Sequence, residues 1–141
     1  MRRSAFTWIE LIFVIVILGI IAAVALAKFE GITDRAKEAK LHAMTGSLNR
    51  TSGAGFWFRS IDEGHHGSVA RPEYDASFDQ YITLIPEYTT GPSLVNCNAN
   101  GTGVLLRYEY TDTYEIHCRD GDSLQSPKFR LYDVTRSLYI D

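Results

Sequence analysis

From residue 11 to residue 27 the chain reads LIFVIVILGIIAAVALA, an apolar run with no charge and no hydroxyl. As a helix, residues 6–27 would rise roughly 33 Å, enough to cross a hydrocarbon core of about 30 Å. Small residues at Gly19, Ala22, Ala23 and Ala25 suit helix-on-helix packing in a membrane. The polar step before the run contains one acid, Glu10, and two cations, Arg2 and Arg3. The cations predict a cytoplasmic start. The acid is costly in lipid and needs a partner or a role.

After Ala27 the helical period continues with different chemistry. Phe29, Ile32, Ala36, Ala39 and Ala43 repeat on one face among charged residues, and Leu41, Met44 and Leu48 form a second apolar line. One helix over both halves is predicted to end near Phe56 to Arg59, after Gly46, Gly53 and Gly55. Such a helix has one apolar line for its own domain and another for something else. Phe56-Trp57-Phe58 is expected in the core, where the helix docks on a sheet. The stretch 60–93 is punctuated by Gly64, Gly67, Pro72, Pro86, Gly91 and Pro92. Inside it Tyr74, Phe78, Tyr81, Ile82 and Ile85 have the spacing of a short helix.

From Val104 the period becomes two. Val104, Leu106, Tyr108 and Tyr110 alternate with more polar positions, as do Tyr114, Ile116 and Cys118. A hairpin turn at Thr111 to Thr113, a second turn at Asp120-Gly121-Asp122, and strands over 128–134 and 137–140 complete the pattern. The fold class is α+β: one long N-terminal helix packed on a small antiparallel sheet of three to four strands.

Residues 4–11, Ser4-Ala5-Phe6-Thr7-Trp8-Ile9-Glu10-Leu11, with the apolar run behind them, resemble the class III signal of type IV pilins and of the pseudopilins of type II secretion. The resemblance implies a leader of residues 1–5, cut by a prepilin peptidase between Ala5 and Phe6, and N-methylation of Phe6. It implies that Glu10 pairs with the N-terminal amine of a neighbouring subunit, which would give the buried acid its partner. The implied partners are a homo-oligomeric helical filament, the peptidase, an inner-membrane assembly platform, and the bilayer before assembly. The implied location is the inner membrane with the head outside the cytoplasm, then a filament. The chain departs from the pattern at Ala5, where Gly is usual, at Trp8, where Leu or Met is usual, and at Ala27, where many pilins carry Pro.

On this reading the domains are a leader at 1–5, a transmembrane and filament-core half-helix at 6–27 and an amphipathic half at 28–59. A variable loop region at 60–103 and an antiparallel sheet at 104–141 follow. Two rivals stand beside it. Ala25-Leu26-Ala27 fits a secretory cleavage site, which would release a soluble domain beginning at Lys28. A minor pilin-like module binding a receptor, exoprotein or DNA through residues 60–93 is the other, with Arg107, Arg119, Lys128 and Arg130 as its candidate cationic patch.

Charge and candidate chemistry refine this picture. The formal charge is −3, and loss of Arg2 and Arg3 with no acid makes it −5, which does not support a general nucleic-acid grip. The two cysteines, Cys97 and Cys118, lie where oxidation is permitted if the head is exported, and a disulfide is the natural pairing. His65-His66 beside Asp62 and Glu63 lacks the spacing of a metal site. The acidic turn at Asp120 and Asp122 lacks a calcium ligand set. Asn49-Arg50-Thr51 and Asn100-Gly101-Thr102 match the glycosylation sequon. No catalytic residue and no cofactor are expected.

Overall fold

The computed structural model describes residues 7–82 and 85–140. Helix α1 (Trp8–Ser47) leads through a π-helical turn (Leu48–Ser52) into α2 (Gly53–Asp62). Two single-turn helices, α3 (Pro72–Asp75) and α4 (Phe78–Tyr81), and a 3-10 turn (Leu94–Asn96) come next. The strands are β1 (Gly103–Glu109), β2 (Thr113–Arg119), β3 (Lys128–Asp133) and β4 (Leu138–Tyr139). They form one antiparallel sheet in the order β1-β2-β3-β4. The architecture is α+β, a long apolar N-terminal helix with a four-stranded sheet. By contacts the chain divides into a unit ending at Ala36 and a unit beginning at Lys37.

In the first unit the helix is long and apolar enough to cross a membrane. Its large apolar side chains are exposed, from Trp8 and Ile9 to Phe29 and Ile32.

The second unit has the packed core. Leu41, Met44 and Leu48 are buried at spacings of three and four, together with Phe56 from α2. They share a cluster with Leu106, Tyr108, Tyr114, Ile116, Cys118, Phe129 and Leu131 of the sheet. Each such side chain contributes about 1.5–3 kcal/mol by leaving water. Of the two apolar lines read from the sequence, this is the one that its own domain covers. Ala39 and Ala43, on the other line, stay exposed.

Helical structure continues to Asp62, past the expected stop: Gly46 lies inside α1, Gly53 and Gly55 lie inside α2, and the π turn over residues 48–52 joins the two helices. Gly53 N–H bonds Leu48 O, five residues back. Gly53 itself has no room for a side chain: a Cβ there would lie 2.5 Å from Leu48 O and 2.7 Å from the Phe129 ring. Over the described part of 74–85 the expected helix is instead two separate turns, α3 and α4. Ser77 parts them, its hydroxyl donating to Glu73 O at 3.1 Å. Of Phe56-Trp57-Phe58 only Phe56 is buried in the core; Phe58 is exposed, and Trp57 Nε1 donates to Asp122 O at 2.8 Å.

Alternation in β1 is interrupted once. Val104 pairs with His117 and Leu106 with Ile116, so Leu105 is the extra residue of a bulge, and both leucines reach the core. The outer edge of β1 is taken by the preceding loop. Thr90 N–H donates to Arg107 O and Ser93 N–H to Leu105 O, both at 2.8 Å, and Glu109 N–H donates to Tyr88 O at 3.0 Å. Tyr88 holds a left-handed φ of 64° to do this.

Candidate assembly surfaces

Ala5 and Phe6, the expected processing pair, lie outside the described residues. Glu10, the expected assembly residue, stands exposed in the first turn of α1 and accepts from the Thr7 hydroxyl at 3.4 Å.

Cys97 and Cys118 are joined by a disulfide, Cα to Cα 5.0 Å, and both are buried. Cys118 is on the core face of β2, and Cys97 follows the 3-10 turn. Asp75 holds that turn in place, its carboxylate accepting from the Ser93 hydroxyl at 3.0 Å and from Leu94 N–H. Gly103 lies so close to this corner that a Cβ would meet Asn96 O at 1.8 Å.

The connecting region is tied down by two carboxylates. Asp120 accepts from Val69 N–H at 2.7 Å, Ala70 N–H at 3.2 Å, Gly121 N–H at 2.9 Å and the Ser68 hydroxyl at 2.7 Å. Asp122 accepts from Leu124 N–H and Gln125 N–H. The acidic turn therefore directs its oxygens to backbone N–H groups and the Ser68 hydroxyl. Among the described residues no three His, Cys, Asp or Glu side chains come together to hold a metal ion.

The second tie is Glu63. It accepts from Arg59 Nε at 2.8 Å and from the Tyr74 hydroxyl at 2.7 Å. The Arg59 hydrogen bond, then that of Tyr74, lowers the Glu63 pKa, and the Glu63 hydrogen bond raises that of Arg59. Burial, then the Glu63 hydrogen bond, pushes the Tyr74 phenol up to about 12. His65 approaches Glu63 and Glu73 at 3.9 and 3.8 Å and remains part of this exposed network.

The sheet face turned away from the helix holds a cluster that alternation alone would label solvent. His117 Nδ1 lies 3.0 Å from the Tyr139 hydroxyl and Nε2 lies 2.9 Å from Glu115. The ring stacks on Tyr132 with centroids 4.7 Å apart, and Arg130 covers Tyr139 at 3.9 Å. Arg107, which bonds Glu109 at 2.9 Å, Arg119 and Lys128 share this face with Arg130. On the opposite face burial, then the charges of Glu38, Asp112 and Asp133, raises the Tyr114 pKa.

Sequence reasoning missed Asn49 and Asp120 as anchors. For Asn49 there was a signal, an amide in a helix interior, where it is neutral to unfavourable unless it bonds elsewhere. It is one of the two sequon asparagines, and its amide is committed to the backbone of Phe129. Asn100, the other, is exposed in the turn closed by Gly101 N–H on Asn98 O.

The chain is 44% identical over 48 residues, 34% of its length, to a type IV narrow pilus major component, PilA5, of Thermus thermophilus. The matched part spans 41% of that relative. No family model matches, and no solved structure matches. The chain thus combines a long apolar N-terminal helix and an antiparallel sheet with similarity to a type IV pilin over a third of its length.

Proposed function

We propose that the chain is a structural subunit of a type IV pilus or of a type II secretion pseudopilus, and not an enzyme. The observation that carries this reading is the exposure of every large apolar side chain from Trp8 to Ile32, on a chain whose second unit has a packed core of its own. A monomer in water would not retain such a surface. A bilayer covers it before assembly, and the helices of neighbouring subunits cover it afterwards.

The finer steps follow from the sequence resemblance. Prepilin peptidase removes residues 1–5 between Ala5 and Phe6, Phe6 is N-methylated, and an inner-membrane platform adds the subunit to the filament. Residues 6–27 form the filament core, 28–59 the amphipathic half-helix, 60–103 the variable region and 104–141 the sheet. The head lies outside the cytoplasm. Glu10 pairs with the amine of an adjacent subunit, replacing the water that it loses.

Intact mass of the exported protein tests the first step: loss of residues 1–5 with gain of one methyl group is expected. A chain beginning at Lys28 would instead identify a secreted soluble domain and sink the filament reading. Glu10→Ala should leave the protein processed and membrane-inserted but missing from sheared filaments, and normal assembly of that variant would remove the pairing step.

A further inference from the structure

From Lys37 onward the sequence has ten Lys and Arg against fourteen Asp and Glu, a net −4. The fold sorts these charges. Among the described residues the sheet face away from the helix presents Arg107, Arg119, Lys128 and Arg130 with Glu109 and Glu115, a net +2, against −6 for the rest of this unit's sequence. Arg119 stands directly opposite Lys128. Like charges facing across neighbouring strands are destabilising unless something else answers them. Neutral acceptors hold the Arg119 guanidinium, Gln125 at 2.8 Å and Ser126 O at 3.3 Å, which fix its direction without cancelling its charge. Lys128 is exposed and has no ion pair among the described residues.

The opposite sign is concentrated in one stretch. Residues 62–87 contain six acids and a single Lys or Arg, Arg71. Glu63 and Glu73 are paired within the stretch or to Arg59, and Asp75 is bound to Ser93 and Leu94. Asp62, Asp79 and Glu87 are exposed with no ion pair among the described residues.

We propose that the cationic sheet face of one head, centred on Arg119 and Lys128, docks against the acidic 62–87 stretch of a second copy of this chain. This rests on the filament reading above. A cationic sheet face and exposed carboxylates from a different stretch of the same subunit make a head-to-tail contact, which propagates along a helix without closing, as a filament requires. The contact sets register and partner choice through charge and is weakened by salt.

The test uses full-length chains and the yield of sheared filaments. Arg119→Glu with Lys128→Glu, and separately Asp79→Lys with Glu87→Lys, should each lower the yield by roughly tenfold, and the four together should restore it to within about twofold of wild type. Lys128→Glu alone, which breaks no described contact, should lower yield even if the paired change at Arg119 disturbs the 119–126 turn. Wild-type filaments should shed subunits faster as ionic strength rises. Full assembly of the reversed variants, no recovery in the combination, or salt-independent filaments would each overturn the proposal. So would reversal that leaves filaments intact but abolishes retention of added DNA, since the face would then serve a polyanion. Absence of filaments from wild type itself would instead refute the underlying subunit reading.

Discussion

Asn49 pairs with Phe129 as one strand pairs with another: Phe129 N–H donates to Asn49 Oδ1 at 2.9 Å, and Asn49 Nδ2 donates back to Phe129 O at 2.7 Å. The same Nδ2 also donates to Thr45 O at 3.1 Å. β4 pairs only with Tyr132 and Asp133, so a helix side chain satisfies β3 where β4 does not reach. Asn49→Ala should cost about 1–3 kcal/mol in denaturant unfolding, because it strands a donor and an acceptor. Asn49→Asp, which loses the donor and turns a charge toward Phe129 O, should cost at least as much. Wild-type stability in the Asp variant would show that the pairing carries no weight.

A second prediction concerns the disulfide. Non-reducing digestion should recover a Cys97–Cys118 linked peptide, since the two sulfurs are bonded and buried. Replacing both by Ser should cost about 2–4 kcal/mol, for a loop of this size frees the unfolded chain and leaves two hydroxyls in the core.

The Glu63–Tyr74 pair predicts two pH limbs. The folded-state pKa of Glu63 is lowered, so its contribution is present above the unfolded carboxylate value and is lost as pH falls through the folded one. That of Tyr74 is raised from 10.0 to about 12, so its contribution is full below the unfolded value and fades as pH rises through the folded one. Unfolding midpoints measured across pH should therefore drop at both ends. Tyr74→Phe should flatten the alkaline limb; an unchanged limb in that variant would assign the effect elsewhere.

Gly67 offers a steric test with an optical readout. It has φ of 84°, and a Cβ there would lie 2.2 Å from Asp122 O and 2.7 Å from Trp57 Nε1. Gly67→Ala should destabilise by about 1–3 kcal/mol and expose Trp57, read as a red shift of its emission. Gly64, with φ of 78° but open space around it, should lose less on the same change.

Periodicity made much of this legible. The run to Ala27 and the line Leu41, Met44, Leu48 were readable because each repeats a helical period over several turns. The strands were readable because a half-buried sheet alternates. The failures are of another kind. Leu105 defied alternation because a bulge adds one residue, and a bulge is a property of pairing, invisible in one strand alone. Residues 74–85 read as one helix because apolar spacing is blind to the backbone at Ser77, which leaves the helical region with φ of −106° and ψ of 7°. Asp120 and Asn49 are anchors only through partners some fifty and eighty residues away, and no local pattern reports these. The charge sorting on the sheet needed strand register before it could be seen at all.

The bond between Cys97 and Cys118 has a mechanical consequence. A pull applied to the two sides of the head passes through the sulfurs and bypasses the segment between them, residues 98–117, which includes all of β1 and most of β2. That segment, about 70 Å of chain if extended, cannot be drawn out while the bond is intact. Tension then falls on the helix-to-sheet contacts and on β3 and β4. A head under load would lengthen from its last two strands, with the first hairpin still folded.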